Sequence, residues 1–120
     1  MSQSIKLNKN YLESLTNTKN KMRVNLIRGG NKNNINSLCE CVYNALKGNI
    51  ILTDQQKDSL KKYKSYLRKL VKRSSLKQKK NILEKNSKFL VDLLPAVFST
   101  LDKNETFNKN DGGSVQQQQN

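Results

Sequence analysis

From Leu60 to Val71 the apolar residues Leu60, Tyr63, Leu67, Leu70 and Val71 recur at steps of mostly three and four, and lysines and arginines hold most of the positions between them. That step is the period of an α-helix, so the chain must lay its apolar residues along one stripe and its charges along the other. A helix of this kind cannot bury its stripe alone and needs other helices against it. Only 34% of the 120 residues are hydrophobic and the mean hydropathy is -0.82, so the core is small and one helical unit is expected. The pattern predicts an all-α fold, a small bundle of three to four short helices with disordered N- and C-terminal tails.

Residues 1–33 are rich in Asn, Lys, Ser and Thr, with sparse apolar positions at Leu12, Leu15, Met22 and Val24, and read as a basic, largely disordered tail ending near Gly29-Gly30. The helical domain is expected over 34–102. From Asn34 onward Ile35, Leu38, Cys39, Val42, Tyr43, Ala45 and Leu46 share one arc of a helix that Gly48 stops. Ile50, Ile51 and Leu52 form a connector expected to plug the core. Thr53 with Gln56 offers a capping box for a second helix running to about Arg73, and Ser75 with Gln78 offers another for a third, which turns Leu76, Ile82 and Leu83 inward. The apolar block Phe89 to Leu101 predicts a last helix, capped by Ser87 and interrupted or restarted near Pro95. Residues 103–120 read as a polar low-complexity tail.

Charge points to the partner. The net charge is +14, and +10 of it falls between Asp54 and Lys88. On the helix expected there, Lys57, Lys61, Lys64, Arg68 and Lys72 form one stripe and Lys62, Lys69 and Arg73 an adjacent one, together covering roughly half the circumference. Lys77, Lys79 and Lys80 open the next helix and extend the positive surface. Ammonium and guanidinium groups on phosphates release condensed counterions, which yields affinity without sequence reading. Arginine is scarce here, and no recognisable element aims Arg, Asn or Gln at base edges. The expected partner is nucleic acid, duplex DNA first and cellular RNA as the alternative. A merely solvated lysine face is the plain structural alternative. Periodicity assigns Tyr63 to the apolar stripe and Tyr66 to its edge, which favours packing over base stacking.

Catalysis and metal binding find no support. Histidine is absent, the acidic residues Glu40, Asp54, Asp58 and Glu84 stand singly, and no phosphate loop, dinucleotide fingerprint or nucleophile elbow occurs. Cys39 and Cys41, two residues apart on a helix, point about 200° apart and cannot grip one ion; they read as small core residues in a reducing compartment. No enzyme, cofactor or metal is expected. The first ten residues carry no apolar run and no stretch is long enough to span a bilayer, so the expected location is cytosol or nucleus rather than secretion. The segment 89–101 has a second reading, as an exposed amphipathic element of a capsid-associated or membrane-active structural protein.

The stretch from Ser37 to Leu94, with LCECVYNALKGNIILTDQQKDSLKKYKSYLRKLVKRSSLKQKKNIL followed by an apolar tail, resembles small basic proteins of adenovirus-like mobile elements, the Polinton or Maverick elements and related virus-like genomes. Asn86-Ser87-Lys88-Phe89-Leu90 stands where members carry a Gly-Gly-Phe-Leu segment. The resemblance implies a virion core or capsid-associated protein that condenses DNA, located in the host nucleus or the virion, with capsid proteins and a processing protease as further partners. Adenovirus-type proteases cut after an apolar-X-Gly-Gly pattern, to which Ile27-Arg28-Gly29-Gly30 is similar, with cleavage before Asn31. Gly29 and Gly30 read equally well as a plain hinge.

Overall fold

The computed structural model describes residues 3–72 and 74–112, with side chains through Lys103. The described residues form α1 (Gln3–Leu7), α2 (Lys9–Thr16), α3 (Asn20–Gly29), α4 (Lys32–Leu46), α5 (Asp54–Lys62), α6 (Lys64–Val71), α7 (Leu76–Lys85) and α8 (Phe89–Gly112), and no strand. The fold is all-α, with more helices than the three to four expected. At its centre α4 packs on α1, α6, α7 and α8, and α8 also packs on α2 and α5. Outside them, α3 lies against α2 and α7.

The N-terminal segment differs most from expectation, because α1, α2 and α3 occupy most of 3–29 and are built into the core rather than forming a tail. Ile5, Leu12, Leu15 and Ile27 are fully buried. Steps of seven and three place the first three on one stripe running through α1 and α2. Asn8 holds the two helices in line, since both its backbone N–H (3.1 Å) and its Nδ2 (2.8 Å) donate to the Ser4 carbonyl. Met22, one of the apolar positions visible in the sequence, is instead exposed. At its place on α3 the buried residue is Arg23, whose Nε donates to the Leu15 carbonyl at 2.7 Å and whose guanidinium also reaches the Thr18 carbonyl at 2.6 Å. These carbonyls lie at and beyond the C-terminal end of α2, where a helix leaves its acceptors without donors.

Asn31 and Asn34 cap α4 reciprocally, each side chain accepting from the other's backbone N–H, so the helix begins at Lys32, two residues before the expected start. Ile35, Leu38, Cys41 and Val42 are buried, while Tyr43 and Leu46 at the edge of the same arc stay partly exposed. Gly48 adopts φ 82 just past the helix end, the left-handed conformation a glycine takes at such a stop. In the connector Ile50 is buried and Leu52 half-buried, but Ile51 turns outward, since successive side chains of an extended segment alternate and its own N–H donates to Thr100 Oγ1 at 3.1 Å.

The expected second helix is two. Tyr63 leaves helical geometry (φ -105, ψ 5) between α5 and α6, and its half-buried ring packs on Phe89 with centroids 5.9 Å apart. Both predicted capping boxes form, Thr53 with Gln56 and Ser75 with Gln78. On α7 Leu83 is buried and Ile82 half-buried, whereas Leu76 in the first turn is exposed rather than inward.

The Phe89 to Leu101 block is core: Phe89, Leu90, Leu93, Leu94, Ala96, Val97 and Leu101 are all buried. Pro95 does not interrupt it, and α8 continues to Gly112. The carbonyl that a helical proline leaves without a donor lies four residues earlier, at Val91. Val91 and Pro95 are both exposed, so the proline lies on the solvent side of the helix. Ser87, expected as the cap of this helix, is buried and donates to Asn20 Oδ1 at 2.7 Å, joining the start of α8 to the start of α3. Of the tail expected over 103–120, residues through Gly112 continue α8, and 113–120 lie outside the described residues.

Candidate nucleic-acid interface

The basic residues of α5 and α6 occupy the side of each helix that the core leaves free. Leu67 and Leu70 are buried and Leu60, Tyr63 and Val71 half-buried, so the stripe turned to solvent must carry the rest. Lys57, Lys61, Lys62, Lys64, Arg68, Lys69 and Lys72 are all exposed, as is Lys77 at the start of α7. None of these eight has a carboxylate within ion-pairing distance among the described residues. Arg73 lies outside the described residues.

The single stripe drawn on a continuous helix holds across the break at Tyr63 for its first three members and is lost at its end. Lys57, Lys61 and Lys64 come together around an apolar groove of about 220 Å³ between the end of α4 and the α5–α6 junction. Lys69 and Lys72 instead line a second cleft, between α6 and α7. Lys72 is extended (φ -74, ψ 162) and so leaves the helical stripe.

Lys79 and Lys80 point elsewhere. Lys79 Nζ lies 3.4 Å from Asn36 Oδ1 on α4, and Lys80 Nζ donates to the Arg28 carbonyl at 2.7 Å. Together with the Arg28–Glu84 ion pair (2.7 Å) the Lys80 contact ties α3 to α7. Both lysines are half-buried. Sequence holds no signal for these contacts, since the partners stand 43 to 56 positions apart.

No family model, curated protein or solved structure matches this chain. What the surface can do therefore rests on its own chemistry. The cations of the N-terminal segment, expected on a basic tail, stand on folded helices instead. Lys9, Lys19, Lys21 and Lys32 are exposed on or beside folded helices and enlarge the positive surface beyond α5–α7.

The remaining candidate groups are structural in their surroundings. Cys41 is fully buried and Cys39 half-buried, and both are free thiols. Burial pushes Cys39 up to about 11 despite the nearby Lys79 ammonium, and pushes Cys41 up to about 12 with Glu40 and Cys39 adding to it. Thiols held protonated this firmly are poor nucleophiles and poor metal ligands. No cluster of three or more His, Cys, Asp or Glu suited to a metal occurs among the described residues. None of the helices, over the same residues, is long and apolar enough to cross a membrane.

Gly29 and Gly30 do not form an open hinge. Gly29 closes α3, and Gly30 is buried against Tyr11, whose hydroxyl donates to the Leu26 carbonyl at 3.0 Å. Asn31 is exposed but held as the cap of α4. The residues on either side of the expected cut are extended (Gly30 φ -67, ψ 139; Asn31 φ -81, ψ 176), but they form a two-residue link between helices with Gly30 buried.

Proposed function

We propose that this is a non-enzymatic protein that binds DNA without regard to sequence, of the genome-packaging or virion core kind, through the lysine-rich surface of α5 and α6. One observation carries the reading: eight exposed cations from Lys57 to Lys77 have no carboxylate partner among the described residues, while the opposite sides of their helices are built into the core. A surface kept only for solubility needs no such one-sidedness, because interspersed charges of both signs serve that purpose. Lysine point charges suit phosphate contact and not base reading. The resemblance of 37–94 to small basic proteins of adenovirus-like elements agrees with packaging, in a nucleus or a particle. Burial of the 89–101 block leaves little apolar surface for the membrane-active alternative.

The test is binding to random duplex DNA across a salt series. A log–log slope of about -5 to -9 is expected if roughly six to ten phosphates are contacted. Reversal of Lys61, Lys64, Arg68 and Lys72 to Glu abolishes binding at moderate salt. Tight binding by that variant would remove α5–α6 as the site, and a stronger preference for single-stranded RNA at matched salt would shift the partner to RNA.

A further inference from the structure

The groove of about 220 Å³ that gathers Lys57, Lys61 and Lys64 has an apolar floor that phosphate contact does not need. The end of α4 and the connector after it contribute only apolar side chains, Ala45, Leu46 and Leu52. The cations come from α5 and α6 alone, which also add Leu60 and Leu67. Leu46 is 38% exposed, and Leu52 and Leu60 are half-buried, so the floor is open to water. Apolar surface left open in a concavity is stabilised when an apolar group enters it. No carboxylate lines the groove, and its three ammonium groups form no ion pair among the described residues. A phosphodiester backbone would neutralise the lysines and leave the leucines wet.

Charge complementarity over an apolar floor selects a partner whose apolar side chains are bordered by carboxylates. We infer that this groove receives an acidic amphipathic helix of a partner protein, its apolar stripe on Leu46, Leu52 and Leu60 and its carboxylates on Lys57, Lys61 and Lys64. The volume is below the roughly 300 Å³ at which small-molecule sites begin, which suits anchoring side chains rather than an enclosed ligand. The described residues contain no strand, so an extended peptide finds no sheet edge to pair with, whereas a helix satisfies its own backbone. A second copy of this chain is the wrong occupant, because a net charge of +14 repels itself. The groove does not rest on the DNA reading. Since the lysines are shared, the acidic helix and DNA exclude one another.

The experiment titrates the full chain with a labelled synthetic peptide, a helix with leucine at every third or fourth position and glutamate between. Two controls carry the same charge, one with the leucines scattered around the helix and one with serine in their place. The amphipathic peptide is expected to bind at least about tenfold tighter than either control. Leu46→Gln keeps every charge at an exposed position; it is expected to weaken that peptide at least about fivefold and to leave duplex DNA affinity unchanged. Lys57→Gln with Lys64→Gln, also at exposed positions, weakens it as well and flattens its salt dependence. Equal binding of the three peptides, or an unchanged affinity in Leu46→Gln, would overturn the groove. Self-association in sedimentation, or binding to phosphatidylcholine–phosphatidylserine vesicles, that depends on Leu46 while the peptide fails to bind gives the groove to a second copy or a lipid surface and overturns the acidic helix. Excess peptide is expected to release labelled duplex. If the peptide binds and duplex does not, the DNA reading falls and the groove stands; if duplex binds and the peptide does not, the reverse holds.

Discussion

The Arg23 side chain donates from Nε to the carbonyl oxygen of Leu15 at 2.7 Å, so a buried cation on α3 closes the end of α2. Its terminal nitrogens reach the Thr18 carbonyl at 2.6 Å and Asn20 Oδ1 at 3.4 Å. Asn20 in turn accepts from Ser87, so one guanidinium coordinates the α2–α3 turn with the start of α8. Replacement by alanine leaves the buried Leu15 carbonyl and the half-buried Thr18 carbonyl without this donor and is expected to cost about 2–4 kcal/mol, read as a shift of the urea midpoint. Lysine at this position restores charge but not the forked geometry and rescues less than half.

The three glycines whose surroundings are described respond differently to alanine. At Gly30 a Cβ would meet the Tyr11 hydroxyl at 2.7 Å and Ile35 Cδ1 at 3.1 Å, so Gly30→Ala costs about 1–3 kcal/mol. Tyr11→Phe in that background removes the closest clash, and the double-mutant cycle shows positive coupling. Gly48→Ala costs about 1 kcal/mol, through φ 82 alone, since nothing lies within 4 Å. Gly29 ends a helix with open space around it, so Gly29→Ala stabilises by about 0.5–1 kcal/mol. Thermal denaturation of the three variants ranks them.

Stability falls at high pH. Tyr11 is pushed up to about 12 by burial, Cys39 up to about 11 and Cys41 up to about 12, against ordinary values of 10.0 for the phenol and 9.0 for the thiols. The unfolded chain loses these protons first, so their contribution is intact below about pH 9 and is lost as pH climbs through roughly 9 to 12. Denaturant midpoints across that range decrease. Thiol-specific reagents at pH 8 modify Cys41 only on unfolding, and a fast native-state reaction at Cys41 would contradict its burial.

Lysines of similar appearance in sequence separate in DNA binding. Lys61→Ala removes an exposed, unpaired charge and lowers the magnitude of the salt slope by about 1. Lys80→Ala leaves the slope nearly unchanged, because its ammonium is held by the Arg28 carbonyl, and instead weakens the α3–α7 contact. Fluorescence anisotropy with random duplex at several salt concentrations distinguishes the two.

Capping predictions rest on local geometry. Thr53→Ala and Ser75→Ala each remove a side chain that accepts from the N–H three residues on, at 3.1 Å in both cases. Each is expected to cost about 0.5–2 kcal/mol in chemical denaturation.

Helical class, both of these caps, the stop at Gly48 and the inward face of 89–101 were determined by sequence alone, because each depends on spacing within a few residues. The side of α5 and α6 that carries lysine follows from the same 3.6-residue period. What only the tertiary structure decided depends on residues far apart in the chain. Ile5, Leu12 and Leu15 form too sparse a stripe to announce a core helix, and they count only because α4 and α8 lie opposite to receive them. Arg23 reads as surface charge until the end of α2 presents carbonyls to it. The lysine stripe keeps Lys57, Lys61 and Lys64 together across the break at Tyr63 but loses the extended Lys72, and Lys79 and Lys80, expected to prolong the positive surface, turn to acceptors on α4 and α3. A helical period specifies which face of a helix is apolar, but partners across the core decide which charges remain free for a ligand.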